Sequence, residues 1–235
     1  MKIKILYITI CIFCTETIFA QNNNEFSIHP HIGFNISSFT KGVTYSLDNG
    51  EKFDYKPKYT IGFNFGGEIE KKKQNIGLSL GFIFTLEHIK FEDISVSSEA
   101  YRIHSKNFSI LNKNLDVPII ISYNIWGNNV SKIHLKSGIL FRFLLSSTTK
   151  NTISFYKREN DLWVINNNYS GKNKGEFTDG YNKIQVAIPI GVSYEYKKIF
   201  IDFKYNIGLT NVYKYTKENI YNRSFVLSAG YSITL

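Results

Sequence analysis

Beyond residue 20 the chain has no cysteine, since Cys11 and Cys14 both lie before that point. A chain cut there has neither disulfides nor thiolate chemistry, and neither cysteine follows the Leu, small, small pattern of a lipid-anchored bacterial protein. Long apolar runs are also missing. After the first twenty residues no stretch approaches twenty apolar residues, which excludes a bundle of membrane-spanning helices. The 28 Lys and Arg against 19 Asp and Glu give a net charge of +9, yet the basic residues form no stripe with interleaved aromatics. Lys71 to Lys73, Lys150, Lys172 and Lys197 are scattered through turns and loops, so nucleic acid is not among the expected partners.

The first twenty residues read as an export signal peptide. Lys2 and Lys4 supply a positive start and Ile3 to Phe13 an apolar run too short to span a bilayer. Ala20 before Gln21 is the expected cleavage point, although Ile18 is bulkier than usual at its position and Glu16 sits inside the signal. Residues 21–235 are then one domain carrying 26 basic and 18 acidic residues, a charge of +8 once Lys2, Lys4 and Glu16 are removed. With no linker in sight, a cysteine-free exported chain needs another source of stability. Closing a sheet so that every backbone group is paired supplies one.

Alternation of apolar and polar residues with period two recurs eight times. Phe26, Ile28, Ile32, Phe34 and Ile36 share one face, opposed by Ser27, His29, His31, Gly33 and Asn35. Tyr59, Ile61, Phe63, Phe65 and Ile69 begin the second segment, and Ile76, Leu78, Leu80, Phe82, Phe84 and Leu86 the third. The others run through Leu115 to Tyr123, Ile133 to Leu145, Ile184 to Tyr194, Ile199 to Leu209 and Phe225 to Leu235. Pro118 and Pro189 occupy matching places in the fourth and sixth segments, Asp116-Val117-Pro118-Ile119 and Ala187-Ile188-Pro189-Ile190. Each ring deletes one ladder hydrogen bond, and a bulge with the ring turned inward is expected at both.

Connections alternate in length. Ser38 to Lys58 is long, Glu70 to Asn75 short, and the order continues with short turns near Ile125 to Ser131 and Glu195 to Lys198. Short turns on one rim and long loops on the other are the habit of outer-membrane barrels. The polar face is mostly Gly, Ser, Thr and Asn, small enough for the interior of an eight-stranded barrel, whereas a soluble exterior is rich in Lys and Glu. The expected fold is therefore all-β: an eight-stranded antiparallel up-and-down transmembrane β-barrel with short periplasmic turns and long extracellular loops. Its apolar face meets lipid, with Tyr59, Tyr123, Trp126, Tyr194 and Tyr196 at the interfaces. The positive charge suits outer-membrane lipid and lipopolysaccharide as partners in a Gram-negative cell outer membrane. A soluble exported lipocalin-like ligand carrier, with the same alternation turned inside out, is the alternative architecture.

Two resemblances follow. Ser228, Gly230, Ile233 and Leu235 resemble the closing pattern by which insertion machinery recognises a bacterial outer-membrane protein, although a terminal Phe is commoner than Leu235. Leu115-Asp116-Val117-Pro118-Ile119, Asn206-Ile207-Gly208-Leu209-Thr210-Asn211 and the stretch Arg223 to Tyr231 resemble the PorT-type outer-membrane β-barrel family of Bacteroidota. That resemblance implies a fold and a location and, through the family's namesake, a tie to protein secretion across the outer membrane.

The inward charges Glu68, Glu87, Asp116, His134, Lys136, Arg142, Asp202 and Lys204 include both signs, and a paired network is expected because isolated charges in a lumen are costly. His29 and His31 have a spacing that can chelate a metal, but no third ligand declares itself, and no metal, cofactor or catalytic residue is assigned. An eight-stranded barrel is filled by its own side chains, so a wide pore is not expected. The expected role is non-enzymatic: structural, docking or export-associated, with protein partners at the extracellular loops or periplasmic turns. A lipid A-modifying barrel enzyme is the alternative, with His88, His104 and Ser105 on or near the second external loop. The long third loop, Ser146 to Gly180, carries Trp163 and Lys172 to Lys174 and is where recognition would sit.

Overall fold

The computed structural model describes residues 24–46, 52–97, 101–128, 130–159, 162–167, 170–214 and 218–235. The expected signal peptide and its cleavage point lie outside the described residues. Eight strands form the staves of a barrel: β1 (Asn24–Phe39), β2 (Thr60–Lys73), β3 (Ile76–Phe91), β4 (Tyr101–Gly127), β5 (Ser131–Glu159), β6 (Ile184–Tyr196), β7 (Ile199–Gly208) and β8 (Asn222–Tyr231). Each pairs antiparallel with its neighbours in sequence, and β8 pairs with β1 to close the ring. Closure leaves no edge along the staves, the condition for crossing a bilayer with strands. The last residues reinforce the seam: Ile233 pairs with Ile28, and Leu235 N donates to Phe26 O at 2.8 Å.

The short connections fall on one rim. Gln74 adopts φ 55° between β2 and β3, and Lys197 φ 56° between β6 and β7, both the left-handed conformation of tight turns. Between β4 and β5, Asn128 Oδ1 accepts from Val130 N at 2.8 Å and Ser131 N at 2.9 Å, so this side chain builds the turn itself.

The long connections differ from their expectation as loops, because much of them is strand. β4 and β5 run 27 and 29 residues, paired from Tyr101 opposite Lys157 down to Gly127 opposite Lys132. A membrane stave needs only about 9–11 residues. The upper halves therefore project beyond the barrel, flanked by Ile94–Ser97 on β4 and by Leu162–Ile165 and Gly171–Glu176 on β5. The expected bulges at Pro118 and Pro189 are also corrected. The ladder skips each proline on one side only, and the register around it is unchanged: Leu80–Ile119 and Ile83–Asp116 flank Pro118, which pairs with Leu140 on its other side, and Ala187–Leu140 and Ile190–Ser137 flank Pro189, which pairs with Asn206. Both rings face the lumen and line one small cavity there, so their missing donors cost a ladder bond without displacing the strand. Register shifts occur instead between β4 and β5, at Lys106/Ser109, Lys113/Asn114 and Asn124/Trp126.

Lipid exposure follows the alternation. Ile32, Phe34, Ile61 and Phe82 are 61%, 59%, 65% and 60% exposed while Asn35, Asn64, Ser79, Asp116 and Ser228 are buried, so the barrel is apolar outside and polar within. A soluble carrier has the opposite arrangement. Tyr59 and the group Tyr123, Trp126, Tyr194 and Tyr196 are exposed at opposite ends of the staves, where aromatic girdles lie.

Above the apolar belt the polarity inverts. On β3, Glu87 is the last inward polar residue; next Ile89 and Phe91 turn inward and are buried while His88 and Lys90 face out. On β4, Phe108 and Ile110 are buried and Ser109 and Lys113 are not. Physics changes there from lipid to water, and the apolar face moves from the outside of the sheet to the inside.

Candidate functional site

Four layers occupy the barrel interior. Near the short turns, His29 lies 3.4 Å from Glu70, and His134 3.5 Å from Glu195. The next layer is a chain of charges. Lys204 Nζ donates to Glu68 Oε1 at 3.1 Å and stands 3.3 Å from Asp202, which Lys136 also reaches at 3.0 Å. Higher still, the Arg142 guanidinium bridges two carboxylates: Nε and Nη2 donate to Asp116 at 2.8 and 2.9 Å, and Nη1 to Glu87 at 3.1 Å. The outer oxygens are satisfied as well, since Thr85 donates to Asp116 at 2.9 Å and Asn222 to Glu87 at 2.8 Å. The eight inward charges expected to pair do so.

Small residues make room for this network. A Cβ on Gly81 would stand 2.7 Å from Glu68 Cγ and 3.1 Å from Pro118 Cγ, so only glycine lets the Glu68 stem lie flat on β3. The cavity between the two charge layers, lined by Pro118, Pro189, Leu140 and Arg142 among others, measures about 40 Å³. That is room for about one water. Replacing Lys204 with Met leaves Glu68 without its cation while Lys136 still serves Asp202. The expected cost is about 1–3 kcal/mol of stability, read as a lower urea midpoint for unfolding from detergent micelles.

The fourth layer closes the top. Phe39, Tyr55, Ile89, Phe91, Phe108 and Ile110 form one buried cluster with Leu144, Tyr181, Val212, Tyr213 and Ile220. Phe91 stacks on Phe108 at 4.7 Å between centroids, Tyr55 meets Phe108 edge-on at 4.9 Å, and Tyr181 packs on Tyr213 at 4.7 Å. Offset and edge-on aromatic pairs are favourable beyond the area they bury. This apolar plug sits over a salt-bridged lumen, and sequence reading missed it. Its signal was the inward turn of Ile89, Phe91 and Ile110 beyond Glu87, in stretches assigned to a loop.

The candidate catalytic residues do not converge. His104 and Ser105 are consecutive on β4 and point to opposite faces. His104 meets Tyr156 edge-on at 5.4 Å, and Ser105 Oγ donates to Asn151 at 3.0 Å. His88 lies on the outer surface of β3 among lysines. His29 and His31 serve the lumen: His29 Nε2 is 2.7 Å from Ser27 Oγ, and both rings pack edge-on against Phe200. Among the described residues no three His, Cys, Asp or Glu side chains are grouped to hold a metal.

Beyond the plug the projecting sheet is decorated on both faces. Arg102 lies over the Trp163 ring at 4.8 Å and donates from Nε to Ser97 Oγ at 2.7 Å, while on the opposite face Tyr101 stacks on Phe155 at 5.8 Å. Leu162, Val164 and Ile165 are exposed along the distal strand. Among the described residues, neither Leu162–Ile165 nor Gly171–Glu176 has a strand on its outer edge.

A closed, antiparallel, eight-stranded ring that is apolar outside, salt-bridged within and asymmetric in its connections defines an integral outer-membrane β-barrel. The chain belongs to the family described as the outer membrane protein beta-barrel domain, whose model matches residues 19–214. No curated protein matches it in sequence. Among solved structures it is similar to Ail, the attachment invasion locus protein of Yersinia pestis, at 14% identity and TM-score 0.41, over 89% of this chain and 99% of that one. Neisserial surface protein A is 12% identical with TM-score 0.37 over 91% and 100%, and the outer membrane protease OmpT of Escherichia coli 11% with TM-score 0.48 over 92% and 99%.

Proposed function

We propose that this chain is a non-enzymatic, non-conducting barrel of the PorT type, a docking component associated with protein export. The observation that carries the reading is the projecting sheet, with open edges at Leu162–Ile165 and Gly171–Glu176. An unpaired edge offers a row of backbone donors and acceptors, to which an extended segment of a partner can add as a further strand. The filled lumen and the aromatic plug give the barrel the part of a rigid platform. The resemblance of its fourth, seventh and eighth strands to PorT-type proteins supplies the link to export, and Ser228, Gly230, Ile233 and Leu235 supply the insertion signal in the last strand.

A photo-crosslinking residue placed at Val164 in living cells is expected to yield one discrete adduct, and the same residue at the lipid-facing Ile201 none. Removal of the chain is expected to lower the amount of secreted protein in the medium. No adduct at Val164 removes the docking reading, and an unchanged secreted fraction removes its link to export.

A further inference from the structure

On the outer wall, at the upper boundary of the apolar belt, four lysines stand in one cross-strand row. Lys58 pairs with Lys90, Lys90 with Ser109, Ser109 with Lys150, and Lys150 with Lys174. Residues directly opposite in an antiparallel pair point to the same face, and like charges placed so are destabilising. This row contains two such pairs, Lys58–Lys90 and Lys150–Lys174. All four side chains are exposed, and among the described residues no carboxylate lies within 4 Å of any of them.

The row crosses an open groove of about 1140 Å³, whose lining also includes Lys113 and Lys172. Asp93, the one carboxylate in the lining, already accepts a hydrogen bond from Asn107 N at 2.9 Å. Toward the membrane the groove changes character. Phe34, Ile61, Phe63 and Leu86, outward residues of the belt, form its floor. Cations above and apolar surface below, side by side at the lipid boundary, match one molecule that carries phosphates and acyl chains together.

We propose that this groove binds a phosphorylated glycolipid of the outer leaflet, of the lipid A type. Its phosphates lie along the Lys58–Lys90–Lys150–Lys174 row and its acyl chains on Phe34, Phe63 and Leu86. The position selects a lipid over a soluble anion, because Phe34, Ile61, Phe63 and Leu86 of the lipid-facing belt form the floor of the groove. The inference requires the barrel and its orientation in the membrane but not the docking role of the projecting sheet, so either can fail alone.

The test uses the full chain purified in a zwitterionic detergent. Bisphosphorylated lipid A is expected to bind and to raise the unfolding temperature, since a ligand of the folded state stabilises it. Changing all four row lysines to Gln (Lys58→Gln, Lys90→Gln, Lys150→Gln, Lys174→Gln) is expected to weaken binding at least ~10-fold and to abolish the thermal shift. With no lipid added the variant should unfold at a temperature no lower than the unaltered chain, because it loses two like-charge pairs. A control, Lys197→Gln with Lys198→Gln on the opposite rim, should bind as before. The proposal is overturned if dephosphorylated lipid A or phosphatidylglycerol binds equally well, if inorganic phosphate at millimolar concentration produces the same thermal shift, or if the fourfold variant keeps its affinity.

Discussion

Replacing Arg142 with Met is expected to destabilise the barrel by about 3–5 kcal/mol, because it strands two buried carboxylates. Asp116 and Glu87 are 5% and 1% exposed, and Arg142 is the cation that lies between them, within 3.1 Å of each. Without it two like charges repel one another in a low-dielectric lumen with no cation between them, which costs free energy. The measurement is the urea midpoint for unfolding from lipid vesicles, together with the temperature at which the heat-modifiable gel shift is lost. A second variant separates this cause from simple loss of packing. Arg142→Met combined with Glu87→Gln and Asp116→Asn removes all three charges, and most of the lost stability should return, since neutral groups of similar shape can replace a buried ion cluster at little cost. If the triple variant is as unstable as the single one, the charges are not what holds this layer.

The presence of these charges in the lumen was readable from the alternation alone. Each of Glu68, Glu87, Asp116, Arg142, Asp202 and Lys204 sits at an inward position of a strand whose other face is apolar, and a strand's period leaves no choice of side. The choice of partner was not readable. Lys204 meets Glu68 across 136 residues of sequence, and Asn222 reaches Glu87 across 135, which only closure of the ring decides. The extent of the staves was misread for a different reason. Beyond Glu87 the apolar positions pass from even to odd numbers, from Leu86 outward to Ile89 and Phe91 inward, and a pattern that changes phase looks like a strand that has ended. A membrane barrel continuing into water has to change phase there, because its surroundings change while its backbone continues. The same inversion hid the plug and the groove, one on each side of the same residues. The lysine row depends on register as well: Lys58, Lys90, Lys150 and Lys174 come from four separate segments and align only through four successive strand pairings that pass through Ser109.

The lipid-facing belt yields the other large effect, one graded by depth. Phe203 is exposed on the outer wall, paired with Val192 on one side and Leu227 on the other, several residues from either end of its stave. An arginine there would hold its charge deep in hydrocarbon, and Phe203→Arg is expected to cost about 2–4 kcal/mol. The same change at Tyr231, which sits on the outer wall beside the short turns and pairs with Ile199, is expected to cost only about 0–1 kcal/mol because its head can snorkel to the headgroups. Both variants are compared by reversible urea unfolding from vesicles of a fixed acyl length. In micelles the gradient should shrink, since a detergent shell deforms around a charge more readily than a bilayer does. Equal costs at the two positions in vesicles would mean that Phe203 does not lie at membrane depth, and the apolar outer face would then need another explanation. A steep difference would fix the belt on the wall that carries Ile32, Phe34, Ile61 and Phe82. It would also place the lysine row at the leaflet boundary, since Leu86 of the belt and Lys90 of the row are only four residues apart on a single strand.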